Sequence, residues 1–407
     1  MRPGGAQKLR GAQALRLWVA MALLYVGAGS VNPLLSLYMS QRGLSDVEIG
    51  LLASAASVSS IAAALASGRA SDAVERRDPL QADLCLGTAL LAAAFTLARG
   101  FAGFAVVYPA YAALSFSSMS VAAAVAMERA GARGGGFGAM RASGAAGWVV
   151  GTLAGGLLSQ SVGFHAAFAL ASAAFAASAL LYGPGLPRAS RRPAGGREPL
   201  SALRGGRPLA TLLAILVASV ANPAYYTFLP LYIVQGLGAP KLTASIAFSV
   251  TPFAEIPAMV ALGSLSDRVG RRKVIAACLA AYPLRFGLTG LLSDPALVVG
   301  VQLLHGLTFG GLYVAATAYF TEELRGAAGT AAGLYPLASG LGGMLGGYLL
   351  ALVLASRGFR AMYAAAAAVS ALSLPVLFAP ELGAALRRRR PTQRPLQPLR
   401  EHVENVG

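Results

Sequence analysis

Apolar runs of about 20 residues recur along the chain, each long enough to cross a hydrocarbon layer as a helix. They lie near residues 14–39, 47–68, 80–98, 101–123, 138–160 and 164–183, and again near 209–234, 242–265, 274–292, 296–320, 329–354 and 358–380. Their apolar positions do not alternate with polar ones at a period of two, so the pattern predicts helices and not the strands of a barrel. Between the sixth and seventh runs lies GPGLPRASRRPAGGREPLSALRGGRP, rich in Pro, Gly and Arg. Such a stretch cannot bury itself and reads as a linker. The expected fold is an all-α integral membrane protein of twelve transmembrane helices in two six-helix bundles. Residues 1–183 form the N-terminal bundle, 184–208 a cytoplasmic linker, 209–380 the C-terminal bundle and 381–407 a basic cytoplasmic tail.

Composition agrees: 56% of the 407 residues are hydrophobic and 12% charged, with a mean hydropathy of +0.62. A soluble chain of this length is excluded. Glycine is abundant, at 49 residues, and many of these sit inside the apolar runs, where small residues let helices approach closely in lipid.

A net charge of +17 would suggest nucleic acid in a soluble protein. Here 27 of the 33 Lys and Arg lie in the tails, the linker and the even-numbered loops, 5 lie in the odd-numbered loops, and the remaining one, Arg285, is inside a span. The positive-inside bias then places both termini and the linker in the cytoplasm, in a bacterial inner (plasma) membrane. The tail RRRRPTQRP reads as a topology anchor that contacts anionic lipid, and no nucleic-acid partner is expected. The first helix is long and lacks a small-residue cleavage site, so it is read as retained.

Cys85 and Cys278 both open spans on the cytoplasmic side, where a disulfide is not expected. His165, His305 and His402 are too dispersed for a metal site. No paired carboxylates, nucleophile with a histidine or phosphate loop appears, so neither an enzyme, a cofactor nor ATP is expected.

The two halves repeat each other. GRASDAVERR and GSLSDRVGRRK share Gly, Ser-Asp, Val and Arg-Arg, each after the second helix of its half. NPLLSLY and NPAYYTFLPLY place Asn32-Pro33 and Asn222-Pro223 before a Leu-Tyr helix end. Parallel repeats are a transporter architecture, with the solute held between halves near the midplane, so Asn32 and Asn222 are candidate substrate-binding residues.

At this point the chain resembles the major facilitator superfamily, whose loop between helices 2 and 3 carries G-x-x-x-D-R-x-G-R-R/K. Gly263, Asp267, Arg268, Gly270, Arg271, Arg272 and Lys273 match that pattern. The first copy keeps Gly68, Asp72, Arg76 and Arg77, with Ala73 for the Arg and Glu75 for the Gly. Such charges at helix ends form charge-assisted bonds that break when the halves rock, which makes the loop a candidate conformational latch. The alternative reading is ordinary topology-setting charge.

An ionisable group at bilayer depth costs at least about 2.5 kcal/mol and is a functional candidate by default. Glu255, in TPFAEIPAMV, lies twelve residues before Asp267, and Arg285 lies twelve after Lys273. At 1.5 Å per residue both are about 18 Å from the cytoplasmic helix ends, level near the midplane. His305 is about 13 to 14 Å deep from the other side. These three are expected to form one polar cluster in which Arg285 neutralises Glu255. A purely structural pair, and a packing role for His305, are the alternatives.

In MRASGAAGWVVG, Arg141 and Trp148 share a helix face two turns apart. A guanidinium below an indole can hold a sugar, donating to hydroxyls while the ring's apolar face stacks. Otherwise Arg141 marks a helix start and Trp148 fills an interface.

Together these residues look like the set used by the lactose permease family. The resemblance implies that Arg141, Trp148 and Glu255 contact a glycoside, while Arg285 and His305 join Glu255 in proton coupling. Thr308 stands where that family has its proton-carrying acid, and Glu128, near the cytoplasmic end, is the only acid of the fourth helix. EIPAM, MRASGAAGWVVG, LPLYI and GRRK are also similar to bacterial sugar efflux transporters.

The expected function is a secondary active transporter working by alternating access, exporting a small solute, a saccharide or glycoside-like molecule, in exchange for protons. The alternative is a multidrug or other organic-solute proton antiporter. Against that alternative, the fourth helix lacks a deep Arg and GWVVGTLAGG lacks Pro.

Overall fold

The computed structural model describes residues 11–73, 76–130, 134–182, 206–324 and 328–389, without side chains at 64–65, 68–73, 127–130, 134–141, 328–329 and 383–389. Among them every regular element is helical. In chain order they are α1 (Gly11–Gln41), α2 (Asp46–Ala73), α3 (Arg77–Ala94), α4 (Gly100–Ala130), α5 (Gly134–Ser161), α6 (Phe164–Tyr182), α7 (Gly206–Gly236), α8 (Lys241–Val269), α9 (Arg271–Leu291), α10 (Pro295–Glu323), α11 (328–357) and α12 (359–389).

Ten helices among the described residues are long and apolar enough to span a membrane. One of the ten, Thr330–Leu382, is two predicted spans run together across Gly358. The third predicted span, α3, falls outside the ten because Arg77, Asp78 and Asp83 are charged. All twelve predicted segments are therefore helical.

Local chemistry sets the helix ends. Ser45 and Glu48 form a reciprocal capping box at α2: the Ser45 amide and hydroxyl donate to Glu48 Oε2 at 2.8 Å, and the Glu48 amide donates to Ser45 Oγ at 3.3 Å. Asp294 caps α10, accepting from the Ala296 amide at 2.7 Å ahead of Pro295. Gly270 joins α8 to α9 with φ 97°, a conformation closed to most side chains, which explains the glycine inside the charged motif.

Proline breaks the helices that line the interior. α1 is interrupted at Asn32-Pro33, and α7 at Asn222-Pro223. Two segments wind as π-helix, Tyr232–Gly236 in α7 and Gly306–Gly311 in α10.

Glycines then let helices cross with backbones in contact. In α5 there is no room for a Cβ at Gly147 against the Ala22 carbonyl, at Gly151 against Val26 or at Gly155 against Ser30. In α11 the same holds for Gly342 against Leu216 and Gly346 against Val220. α5 on α1 thus mirrors α11 on α7, the parallel repeat predicted from the two Asn-Pro pairs.

The halves meet along α2 with α11 and α5 with α8. Ser54 Oγ donates to the Met344 carbonyl at 2.6 Å, beside the close approach of Gly50 and Gly347. Near the odd-numbered loops, Gln235 donates to Ser40 Oγ at 2.8 Å and Lys241 Nζ to the Ser159 carbonyl at 3.3 Å. Lys241 also lies 4.3 Å from the Phe164 ring centroid, and the Leu242 amide donates to Gln160 Oε1 at 3.1 Å. The described hydrogen bonds between halves thus fall between mid-depth and the face opposite the termini, called here the distal face.

Candidate functional site

The apolar runs of the C-terminal half carry their polar residues to one place. Arg285 of α9 is 2% exposed and His305 of α10 is 4% exposed. Burying a guanidinium is tolerable only if its donors are met. Nε and Nη2 donate to Gln302 Oε1 at 3.2 and 2.8 Å, and Nη1 donates to His305 Nδ1 at 2.7 Å and Thr308 Oγ1 at 2.9 Å. Its remaining face lies 4.3 Å from the Tyr225 ring centroid. Gln302 is itself fixed, donating to the Val298 carbonyl at 2.9 Å.

A guanidinium has no acceptor, so His305 Nδ1 must accept and the ring hydrogen sits on Nε2. Nε2 lies 3.3 Å from Glu255 Oε1. The structure therefore corrects one expectation. Arg285 reaches Glu255 through the imidazole, because its Nη1 is taken by His305 and Thr308 of α10. Thr308, at the place of the lactose permease family's acid, accepts from Arg285 with a neutral hydroxyl.

Aromatic rings shape the walls. Tyr225 stacks on Phe248 with centroids 4.5 Å apart and tilts over His305 at 4.7 Å. Tyr226 is 44% exposed although it lies at mid-depth, 6.0 Å from His305. With the Glu255 side chain 17% exposed, this marks an opening inside the protein, not a sealed core. His305 and Phe309 are nearly parallel at 5.3 Å, since an i→i+5 turn brings side chains four apart closer to alignment than an α turn does.

The N-terminal half contributes Trp148, whose Nε1 donates to the Phe248 carbonyl at 3.2 Å across the interface. Pro252, four residues after Phe248, has no N–H to take that carbonyl, so the TPFAE sequence leaves it for Thr251 Oγ1 at 3.0 Å and for the indole. The side chains of Arg141 and Glu128 lie outside the described residues. Asn32 is half-buried at the α1 break. Asn222, at the α7 break, donates to Ser339 Oγ of α11 at 3.2 Å.

The charged motif lies far from this cluster. Arg271 pairs with Asp267 and, at 2.9 Å, with Glu322 of α10; Arg272 binds Glu381 of α12, which also holds Arg207 of α7 at 2.9 Å. Every one of these pairs lies within the C-terminal half. Arg268 is exposed. In the first copy, Arg76 stands 4.0 Å from Asp78 and Arg77 is half-buried, while the side chains at 68 and 72 are outside the described residues.

Sequence reasoning missed Gln302, Tyr225, Tyr226, Phe248 and Ser339. Gln302 had a signal, an amide inside VVGVQLLHG three residues before His305. The aromatics had none, because such rings are ordinary in membrane helices.

Comparison with known proteins follows this geometry. A family model described as the MFS_1 like family matches residues 15–364. Sugar efflux transporter A of Escherichia coli (strain K12) is 27% identical over 383 residues, covering 91% of this chain and 96% of that protein. The maltose permease of Geobacillus stearothermophilus is also 27% identical, with 81% of this chain and 85% of the permease covered. Among solved structures, the nucleoside transporter NupG superposes with a TM-score of 0.76 at 17% identity, covering 90% of this chain and 98% of that one. A bacterial homologue of the human lysosomal transporter Spinster, inward-facing and unoccupied, gives 0.66 at 16%, covering 92% and 96%.

Proposed function

The chain belongs to the MFS_1 like family, and from that premise we propose that it is a secondary active transporter that exports a saccharide or glycoside-like solute in exchange for protons by alternating access. Sugar efflux and maltose relatives matched over most of both lengths support the solute class. The positive charge of the tails, linker and even-numbered loops supports cytoplasmic termini in a bacterial plasma membrane.

The observation that carries the coupling is Glu255. It is the one acid that the sequence puts near the midplane, it is reachable from the interior opening, and it is held by an imidazole whose other nitrogen is pinned by Arg285. As a carboxylate it is acceptor-only toward solute hydroxyls; protonated, it loses its charge and turns one acceptor site into a donor. One group serving both cargoes makes them mutually exclusive, and mutual exclusion gives exchange, whereas cotransport needs both bound together. Trp148 supplies the stacking plate for a pyranose face, and Arg141 is read as its partner. Asn32 and Asn222 flank the site at matching breaks.

The described hydrogen bonds that close the distal face between α1 and α7 and between α5 and α8 are few; the neutral ones contribute about 0.5–1.5 kcal/mol each and the one from the Lys241 ammonium about 1.5–3 kcal/mol. That is weak enough for solute or proton binding to shift the balance between states. The Gly263 to Arg272 motif, with its counterpart at Gly68 to Arg77, is the latch at the terminus-side face. Opening and closing that face would exchange its intra-half pairs for pairs between halves.

The test is uptake of radiolabelled lactose and related glycosides into inside-out vesicles under an imposed proton gradient. Gradient-driven accumulation is expected for wild type, and Glu255→Gln is expected to reduce it about tenfold or more while leaving slow equilibration. A folded wild type that moves none of these glycosides overturns the saccharide reading.

A further inference from the structure

Setting the two halves in register by their Asn-Pro breaks reveals a position that the sequence hides. Val26 lies six residues before Asn32 and Leu216 six before Asn222, and these meet Gly151 and Gly342 respectively. Ser30 and Val220, each two before the Asn, meet Gly155 and Gly346. Two independent crossings give the same register for α5 and α11. Three residues before Gly151 is Trp148, and three before Gly342 is Ser339. The two occupy equivalent places in the two halves.

Their side chains differ as much as side chains can. Trp148 spans the interface to reach the Phe248 carbonyl. Ser339 occupies a fraction of that volume, and its partner comes from its own half of the protein, Asn222 of α7. Ser339 is only half-buried, as is Asn222, whose Nδ2 it accepts. Asn222 in turn lies beside the Tyr282 hydroxyl.

Hydroxyls in the helices of this protein mostly turn back on their own preceding turn. Ser57, Thr88, Ser161 and Ser356 each donate to the carbonyl four residues earlier. Ser339 instead takes an amide from another helix. An oxygen that has accepted one bond still carries a hydroxyl hydrogen to donate and a second lone pair.

We propose that Ser339, oriented by Asn222, is a substrate-contacting residue that reads one hydroxyl of the saccharide, forming the C-terminal wall of a site whose N-terminal wall is the Trp148 indole. This rests on the saccharide reading above. A neutral hydroxyl and amide suit a neutral polyol: they offer a donor and an acceptor at short range and add no charge of their own. The pseudo-symmetric cavity is thus used asymmetrically, stacking on one side and hydroxyl recognition on the other.

The experiment uses the full-length protein in inside-out vesicles, with the transported glycoside and its series of single deoxy analogues as competitors. Wild type is expected to reject one particular deoxy analogue about tenfold, the discrimination of one hydroxyl-reading bond. In Ser339→Ala that single ratio is expected to fall to near one while discrimination at the other positions is kept; Ser339→Thr, which keeps the hydroxyl, restores it. A deoxy profile identical in wild type and a folded Ser339→Ala protein overturns the assignment while leaving saccharide transport standing. A Ser339→Ala protein that fails to fold is replaced by Ser339→Cys, whose thiol fills the site but donates weakly, and the same ratio is read. A folded wild type that transports no glycoside overturns both readings.

Discussion

His305 shows how much one side chain can be asked to do at bilayer depth. It accepts from Arg285 at Nδ1 and faces Glu255 with Nε2, so it holds a cation and presents a donor to the carboxylate at once. His305→Asn keeps an acceptor near the Nδ1 position but is too short to reach Glu255. Its melting temperature in detergent is expected to stay near wild type while proton-driven accumulation falls; wild-type accumulation would remove His305 from the coupling path. His305→Leu leaves an Arg285 N–H unpaired, an expected loss of about 1.5–3 kcal/mol, seen as a lowered melting temperature. At this scale the charged residues were legible because an ionisable group in an apolar run is costly and needs partners, so it stands out in the sequence. The tyrosines were not, because NPAYYTF signals a break at its proline but not which way the rings of Tyr225 and Tyr226 then face.

Proline chemistry governs the elements. In α8, Pro252 withdraws the N–H that would satisfy the Phe248 carbonyl, and the free oxygen receives Trp148 from the other half. Restoring that N–H with Pro252→Ala lets the carbonyl pair within its own helix. Indole emission of Trp148, read in a Trp18→Phe background, is then expected to shift to the red as the ring undocks, with slower transport. Unchanged emission and transport would show that the helix stays broken without the proline or that the contact is incidental. The helix pattern itself was legible from run length, including the short, charged α3. The π-turn of α10 was not, since its Gly306 and Gly310 pack against Ala254 and Glu255 of α8, partners distant in sequence.

For the whole molecule, the described hydrogen bonds between halves lie between mid-depth and the distal face, and under the proposed alternating access this state gives way for solute to cross. Cysteines at Ser40 and Gln235, joined by a short cleavable thiol crosslinker, are expected to arrest transport until the linker is cut; native Cys85 and Cys278 are buried and need not be removed. Unimpeded transport by the crosslinked protein would mean that α1 and α7 do not part at this point. Gly347→Val, which pushes a side chain into Gly50 and Ser54, is expected to weaken the same closure and raise labelling of the Ser40→Cys thiol from the distal side.

The sequence by itself determined that the chain crosses a membrane as helices, that its halves repeat and that Glu255, Arg285 and His305 lie near one level, because hydrocarbon thickness, helical rise and the cost of burying charge act on local sequence alone. It also carried the family resemblance, in the Gly263 to Lys273 motif and the helix 5 and helix 8 segments. Only the tertiary structure decided that the imidazole stands between Arg285 and Glu255, that Trp148 docks on a carbonyl freed by Pro252, and that Ser339 is the counterpart of Trp148. Those facts depend on which helix faces cross at which glycines, a matter of rotation and register between different helices that no local pattern records.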